Sequence, residues 1–142
     1  MAKSTTKLGE LQLVNYNQAN LLKELGFDWE TDVFYEIKGE CINDSEEYHH
    51  HWINKNSVPI NDIFHQGTEF CSAPLIAQAL KWFRDEIGYY PSIICNEYGI
   101  YSYKIGSTDE LSTKYSTYEL MESALLDELI MRTKSYIPSS KL

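Results

Sequence analysis

Residues 72–88 (SAPLIAQALKWFRDEIG) constrain the fold more than any other stretch of the chain. Ser72 is placed to cap a helix, its side-chain oxygen accepting an N–H of the first turn. Pro74 stands where a missing N–H costs nothing. Ile76, Ala79, Leu80, Phe83 and Ile87 recur at spacings of three and four and make one apolar stripe. Gln78, Lys81, Arg84 and Asp85 fall mostly on the other side, and Gly88 supplies a left-handed stop. A helix of this length cannot bury its stripe alone, so the rest of the chain must cover it.

The flanking segments read as its cover. Asn15 or Asn17 caps a short helix over 18–25, with Leu21, Leu22 and Leu25 apolar and Gly26 as the stop. Phe27 and Trp29 then fold back as core anchors; the alternative is an exposed aromatic hot spot beside Asp28 and Glu30. Val33, Tyr35, Ile37 and Cys41 alternate with Glu36, Lys38 and Glu40, the pattern of a strand with one wet face. A turn at 43–45 leads to a returning strand over 48–53, then to a long connection over 54–67 with one short helical turn after Pro59. A second hairpin has arms 91–95 and 100–105 around a turn at 96–99, with Tyr101, Tyr103 and Ile105 on one face. After a polar loop over 106–114, Ser116 and Glu119 form a capping box. Tyr118, Met121, Leu125 and Leu129 continue as a stripe that Leu126 and Ile130 broaden, ending near Arg132. Residues 1–13 and 136–142 read as loose arms. The expectation for 1–142 is a single α+β domain, an antiparallel sheet from two hairpins with about three helices packed on it.

Charge narrows the partners. Twelve Lys and Arg against 21 Asp and Glu give a net charge of −9. Glu24, Asp28, Glu30, Asp32, Glu36, Glu40, Asp44, Glu46 and Glu47 crowd one stretch that contains only Lys38 as a cation. Such a field repels phosphate backbones and anionic lipid, which argues against direct nucleic-acid binding and against a membrane surface. A basic protein surface is the electrostatic match, and the competing reading is that the acids keep the chain soluble. Cys41, Cys71 and Cys95 are odd in number and far apart, with no C-x-x-C, so neither a disulfide framework nor a structural zinc site is expected. Reduced thiols suit the cytoplasm. The opening MAKSTTK has no apolar leader core, and no run approaches membrane length. Eleven Tyr suit sheet faces and binding surfaces alike.

Candidate chemistry is sparse, and no cofactor is implied. The run EEYHHHW (46–52) places three His beside two carboxylates, a set that can bind Zn, Ni or Cu. On a strand only His49 and His51 share a face, so these two are the metal candidates, against the plainer reading of a polar edge strand. Asp28, Glu30 and Asp32 have the 1, 3, 5 spacing of a calcium loop, but Val33 and Gly39 stand where Gly and Glu are needed. Cys71 can pair with His65 or His51 as an activated thiol, and its place before a helix would lower its pKa; no thiol-enzyme signature surrounds it. Glycine-rich nucleotide motifs are absent.

Three blocks carry a resemblance. LLKELGFDW (21–29), APLIAQALKWFRDE (73–86) and YSTYELMESA (115–124) resemble, in the same order, segments of uncharacterised small proteins of gut bacteriophages and Bacteroidetes mobile elements. The resemblance spans about residues 18–129. It implies a phage or mobile-element context and a small stand-alone protein, and it brings no catalytic residues with it. The expected function is non-enzymatic: stoichiometric binding of a protein partner in the host cytoplasm, as an acidic inhibitor of a host nuclease or defence enzyme. Its contact residues would be Asp28, Glu30, Asp32, Glu36, Glu40, Asp44, Glu46 and Glu47. The alternatives are a small-molecule or metal binder or small enzyme using His49, His51 and Cys71, and a self-associating virion or assembly component.

Overall fold

Asn15 starts the first helix for the reason its side chain provides. In the computed structural model, which describes residues 12–37, 48–57, 69–106 and 109–136, its Oδ1 accepts the Gln18 N–H at 2.7 Å. The Gln18 side chain accepts the Asn15 N–H in return at 2.9 Å. That reciprocal pair opens α1 (Tyr16–Leu25), and Gly26, at φ 101°, closes it. For residues 36, 37, 48–54, 69 and 136 the description is of the backbone. The fold is α+β, and the chain divides into two compact units, 1–75 and 76–142.

In the first unit, β1 (Thr31–Ile37), β2 (Tyr48–Asn54) and β3 (Glu69–Ser72) form an antiparallel sheet of order β2-β1-β3. The β1–β2 hairpin follows the alternation in the sequence, but β1 is the central strand. Val33, Phe34 and Tyr35 are consecutive and all buried, so β1 is covered on both faces at its middle, while Asp32 at its start is exposed; the side chains of Glu36, Lys38 and Glu40, the expected wet face, lie outside the described residues. Phe34 is covered edge-on by Phe70, their ring centres 5.7 Å apart. On the other side Tyr35 meets Tyr16 of α1 edge-on at 5.7 Å, and its hydroxyl donates to the Val14 carbonyl at 2.7 Å. Phe27 is an anchor as expected, at 1% exposure, while Trp29 beside it is only half-buried.

β3 corrects the expected helix start. Ser72 is a strand residue, the last of β3, and its N–H goes to the side chain of Asn56. Ala73 donates to Val33 and Pro74 accepts from Val14, so both continue the extended path of β3. A segment already bonded to a sheet cannot also wind into a first turn.

The second unit begins with α2 (Ile76–Trp82), which widens into a π turn at Phe83–Ile87 before Gly88, at φ 97°. The Gly88 N–H reaches the Phe83 carbonyl at 2.7 Å, a five-residue spacing. One extra residue in a turn advances everything after it by about 100°. Ile76, Ala79, Leu80 and Phe83 are buried as the stripe predicts, but Ile87 is rotated out and is 40% exposed. β4 (Ser92–Cys95) and β5 (Tyr101–Lys104) form a separate antiparallel pair, joined by a turn in which Gly99 adopts φ 77°. The two hairpins therefore do not share a sheet among the described residues.

The last helix, α3 (Tyr118–Tyr136), is capped by Thr117, whose Oγ1 accepts the Leu120 N–H at 3.1 Å; the cap thus lies one residue later than the Ser116 box. It runs a full turn past Arg132. Met121, Leu125, Leu126, Leu129 and Ile130 are buried along it, and Tyr118 is the exposed end of the stripe. Burying each such aliphatic side chain contributes about 1.5–3 kcal/mol, so α3 and α2 together carry most of this unit's core. No helix among the described residues is long and apolar enough to cross a membrane. The expected turns at 43–45 and after Pro59 lie outside the described residues, as do most residues of the expected loose arms over 1–13 and 136–142; where those arms are described they are ordered, Leu13 bridging to Leu75 and Tyr136 closing α3.

Candidate interaction surfaces

Charge is divided unequally between the units. Residues 1–75 hold 12 Asp and Glu against five Lys, and residues 76–142 hold nine against seven Lys and Arg. The first unit is thus the source of most of the −9.

Within it, the corner between α1 and β1 places the first acids of the acidic stretch. Glu24 is exposed on the last turn of α1, and Glu30 and Asp32 are exposed on the approach to and start of β1. Asp28 is half-buried and structural. Its Oδ1 accepts the Ser57 N–H and its Oδ2 the Ser57 hydroxyl, both at 2.6 Å, with Lys55 Nζ at 4.0 Å. Glu36 lies in β1. Glu40, Asp44, Glu46 and Glu47 lie outside the described residues.

The described lysines of this unit are turned to internal work. Lys23 Nζ donates to the Phe70 carbonyl and stands over the Phe70 ring at 5.3 Å. Lys55 faces Asp28. Asn56 completes this corner: its Nδ2 donates to the Phe27 carbonyl at 2.7 Å and its Oδ1 accepts the Ser72 N–H at 2.9 Å. One side chain so ties the α1–β1 turn to β3. Nothing in the sequence marks Asn56, because its role depends on two partners 29 and 16 residues away. Lys23, Gly26, Phe27, Asp28, Asn56 and Ser57 line an open depression of about 360 Å³ at this corner.

The described metal and thiol candidates lie on strands that flank β1 from opposite sides, His49 and His51 on β2 and Cys71 on β3. His49 and His51 lie on β2, opposite the backbone of β1, where His49 pairs with Phe34 and His50 with Val33. The β1–β2 register then shifts: the five residues of β2 from His50 to Asn54 span the three of β1 from Val33 to Thr31. The period-two argument linking His49 to His51 crosses that irregularity. Among the described residues no group of three His, Cys, Asp or Glu is arranged to hold a metal ion. Cys71 lies inside β3 and is fully buried, so it is not the thiol at a helix start that the sequence suggests. His65 lies outside the described residues.

The second unit presents a different surface, built on tyrosine. Tyr103 and Tyr115 stack at 6.3 Å, and Tyr101 meets Tyr118 edge-on at 5.6 Å. The Tyr103 hydroxyl donates to Glu128 at 2.6 Å; burial, then the Glu128 carboxylate, pushes that hydroxyl well above the ordinary tyrosine range. Glu128 also accepts from Arg132 Nε and Nη2 at 3.0 and 2.7 Å, and Arg132 Nη1 reaches Asp109 at 2.9 Å. This network fastens β5 and Asp109 onto α3. At the other end, Glu122 is 5% exposed, and burial raises its carboxyl above the usual range even though the Tyr118 hydroxyl works against that rise. Tyr89, Met131, Arg132 and Ser135 line a shallow depression of about 480 Å³. Comparison of the chain with protein-family models, curated proteins and solved structures gives no match.

Proposed function

We propose that this protein acts without catalysis, by stoichiometric binding of a protein partner whose surface is basic, through the acidic unit 1–75. The observation that carries this reading is the one-sided disposition of charge at the α1–β1 corner. Glu24, Glu30 and Asp32 face solvent, while Lys23 is engaged with Phe70 and Lys55 faces Asp28. With these two cations engaged by groups of the same unit, the field at this corner is acidic, and such a field steers a basic partner and repels nucleic acid. The three sequence blocks support placing the chain among accessory proteins of phages and mobile elements. In that setting the target is a host nuclease or defence enzyme with a basic cleft, met in the host cytoplasm.

The test is capture of proteins from host lysate on immobilised protein at low and high salt, run beside the variant Glu24→Lys/Glu30→Lys/Asp32→Lys. The expected result is one basic protein retained stoichiometrically by the parent chain, released by salt and lost in the variant. Exposed substitutions of this kind leave stability within about 0.5 kcal/mol, so the variant stays folded. Equal capture by both chains would remove the acidic corner from the interface.

A further inference from the structure

We propose that β4 is the seam of a homodimer, pairing antiparallel with β4 of a second copy about a two-fold axis at Ile94. The argument begins with which backbone groups are already used. On β5, Tyr101 exchanges both backbone bonds with Tyr115, at 2.9 and 2.8 Å. Tyr103 accepts from the Ser112 N–H at 2.8 Å and donates to the Ser112 hydroxyl at 2.9 Å. The odd-numbered residues of β5 therefore face the 112–115 segment, and Ser102 and Lys104 face β4. Their partners there are Ile94 and Ser92, and the Asn96 N–H continues the series to the Ile100 carbonyl at 3.0 Å. By alternation, the N–H and C=O of Ile93 and Cys95 point away from the hairpin. One edge of the hairpin is closed and, among the described residues, the other is open.

The open edge lacks the usual protection. Ser92–Cys95 is exposed along its whole length, with Ile93 and Ile94, on opposite faces, each 39% exposed. Residues 87–96 contain no Asp, Glu, Lys or Arg. Natural edge strands are normally blunted by charge, and β4 has only Pro91 at its entrance. In a chain of net charge −9, two copies repel one another over most of their surfaces. An uncharged strand in the less acidic unit is where they can meet.

The occupant is a second copy because the edge complements itself. About a two-fold at Ile94, Ile93 faces the second copy's Cys95 in both directions, which gives four backbone hydrogen bonds. Ile94 meets its own counterpart at close range. Glu97 faces Pro91, so no like charges meet. Tyr90 comes abreast of the second copy's Tyr98; these are the two most exposed of the large apolar side chains described, at 69% and 80%. A two-fold at Ile93 is poorer, since it sets Cys95 against Pro91, which has no N–H to give. The seam doubles a two-stranded ribbon, marginal by itself, into four strands.

The test is sedimentation of the full chain from about 10 µM to about 1 mM, the range in which a small interface associates. The expected result is a concentration-dependent dimer, weakened at least about 10-fold by Ile94→Lys, which sets two like charges opposite each other at the axis. Circular dichroism confirms that this variant folds. Register is read by oxidation in a Cys41→Ser/Cys95→Ser background, where Ile94→Cys forms a cross-linked dimer and Ile93→Cys does not. A chain monomeric at about 1 mM would overturn the proposal, as would a dimer indifferent to Ile94→Lys or one cross-linked only through position 93.

Discussion

The two units solve the same problem, covering a small antiparallel sheet, with opposite surfaces. The unit 1–75 buries its central strand on both faces and leaves acids outside, and polar side chains fasten its corners: Asn56 between Phe27 and Ser72, Lys23 on Phe70, Asp28 on Ser57. The unit 76–142 is nearly balanced in charge and leaves apolar surface outside, in Tyr90, Ile93, Ile94 and Tyr98. Acids outside suit a partner of opposite charge, and a neutral open strand suits a like copy. The contrast teaches that a net charge of −9 describes neither half of this molecule well.

The comparison can be broken most severely in the core. Phe34→Ala removes the ring that makes β1 a two-sided strand, and the expected loss is about 3–5 kcal/mol in denaturant unfolding. A loss below about 1 kcal/mol would mean that β1 has a wet face after all. Asn56→Ala comes next, at about 2–3 kcal/mol, because it deletes the bonds to the Phe27 carbonyl and the Ser72 N–H together. Unchanged stability would show that the acidic corner does not depend on that clip.

Smaller effects sharpen the other side. Tyr103→Phe, which deletes the hydroxyl held by Glu128, is expected to cost about 1–2 kcal/mol and to loosen β5 on α3, read as faster amide exchange at 101–104. No change in exchange there would mean that this hydroxyl does not hold β5 on α3. The smallest effect belongs to Glu122. Its folded carboxyl titrates above its unfolded value, so between those two values the folded state holds more protons. Stability therefore falls as pH rises through the upper carboxylate range and stays lower at neutral pH. Glu122→Gln is expected to raise Tm at pH 7 by about 1–3 °C, with the gain vanishing below about pH 4. A variant less stable at pH 7 would mean that the charged form makes a contact worth more than its burial costs.

Much of the fold was legible because its signals are local. Asn15 and Gln18, Gly26, Gly88 and the stripe along α3 each act within one or two turns, and the sequence places them within a residue or two of where they stand. β3 was not legible: four residues beside a good capping Ser and a Pro read as a helix start, and only pairing with β1 shows otherwise. The exposed acids Glu24, Glu30 and Asp32 of the candidate surface could be read from composition, whereas the structural use of Asp28 and Asn56 could not.

What the sequence determined by itself is the set of helices, their stops, the two hairpins and the sign of the charge, since periodicity, caps and composition need no distant partner. Tertiary structure alone decided that β1 is central, that Lys23 turns onto Phe70 and, among the described residues, that the hairpins belong to separate sheets and that β4 keeps an open edge. Each of these depends on which segments compete for the same backbone hydrogen bonds, and that competition is settled only when residues far apart in the chain meet.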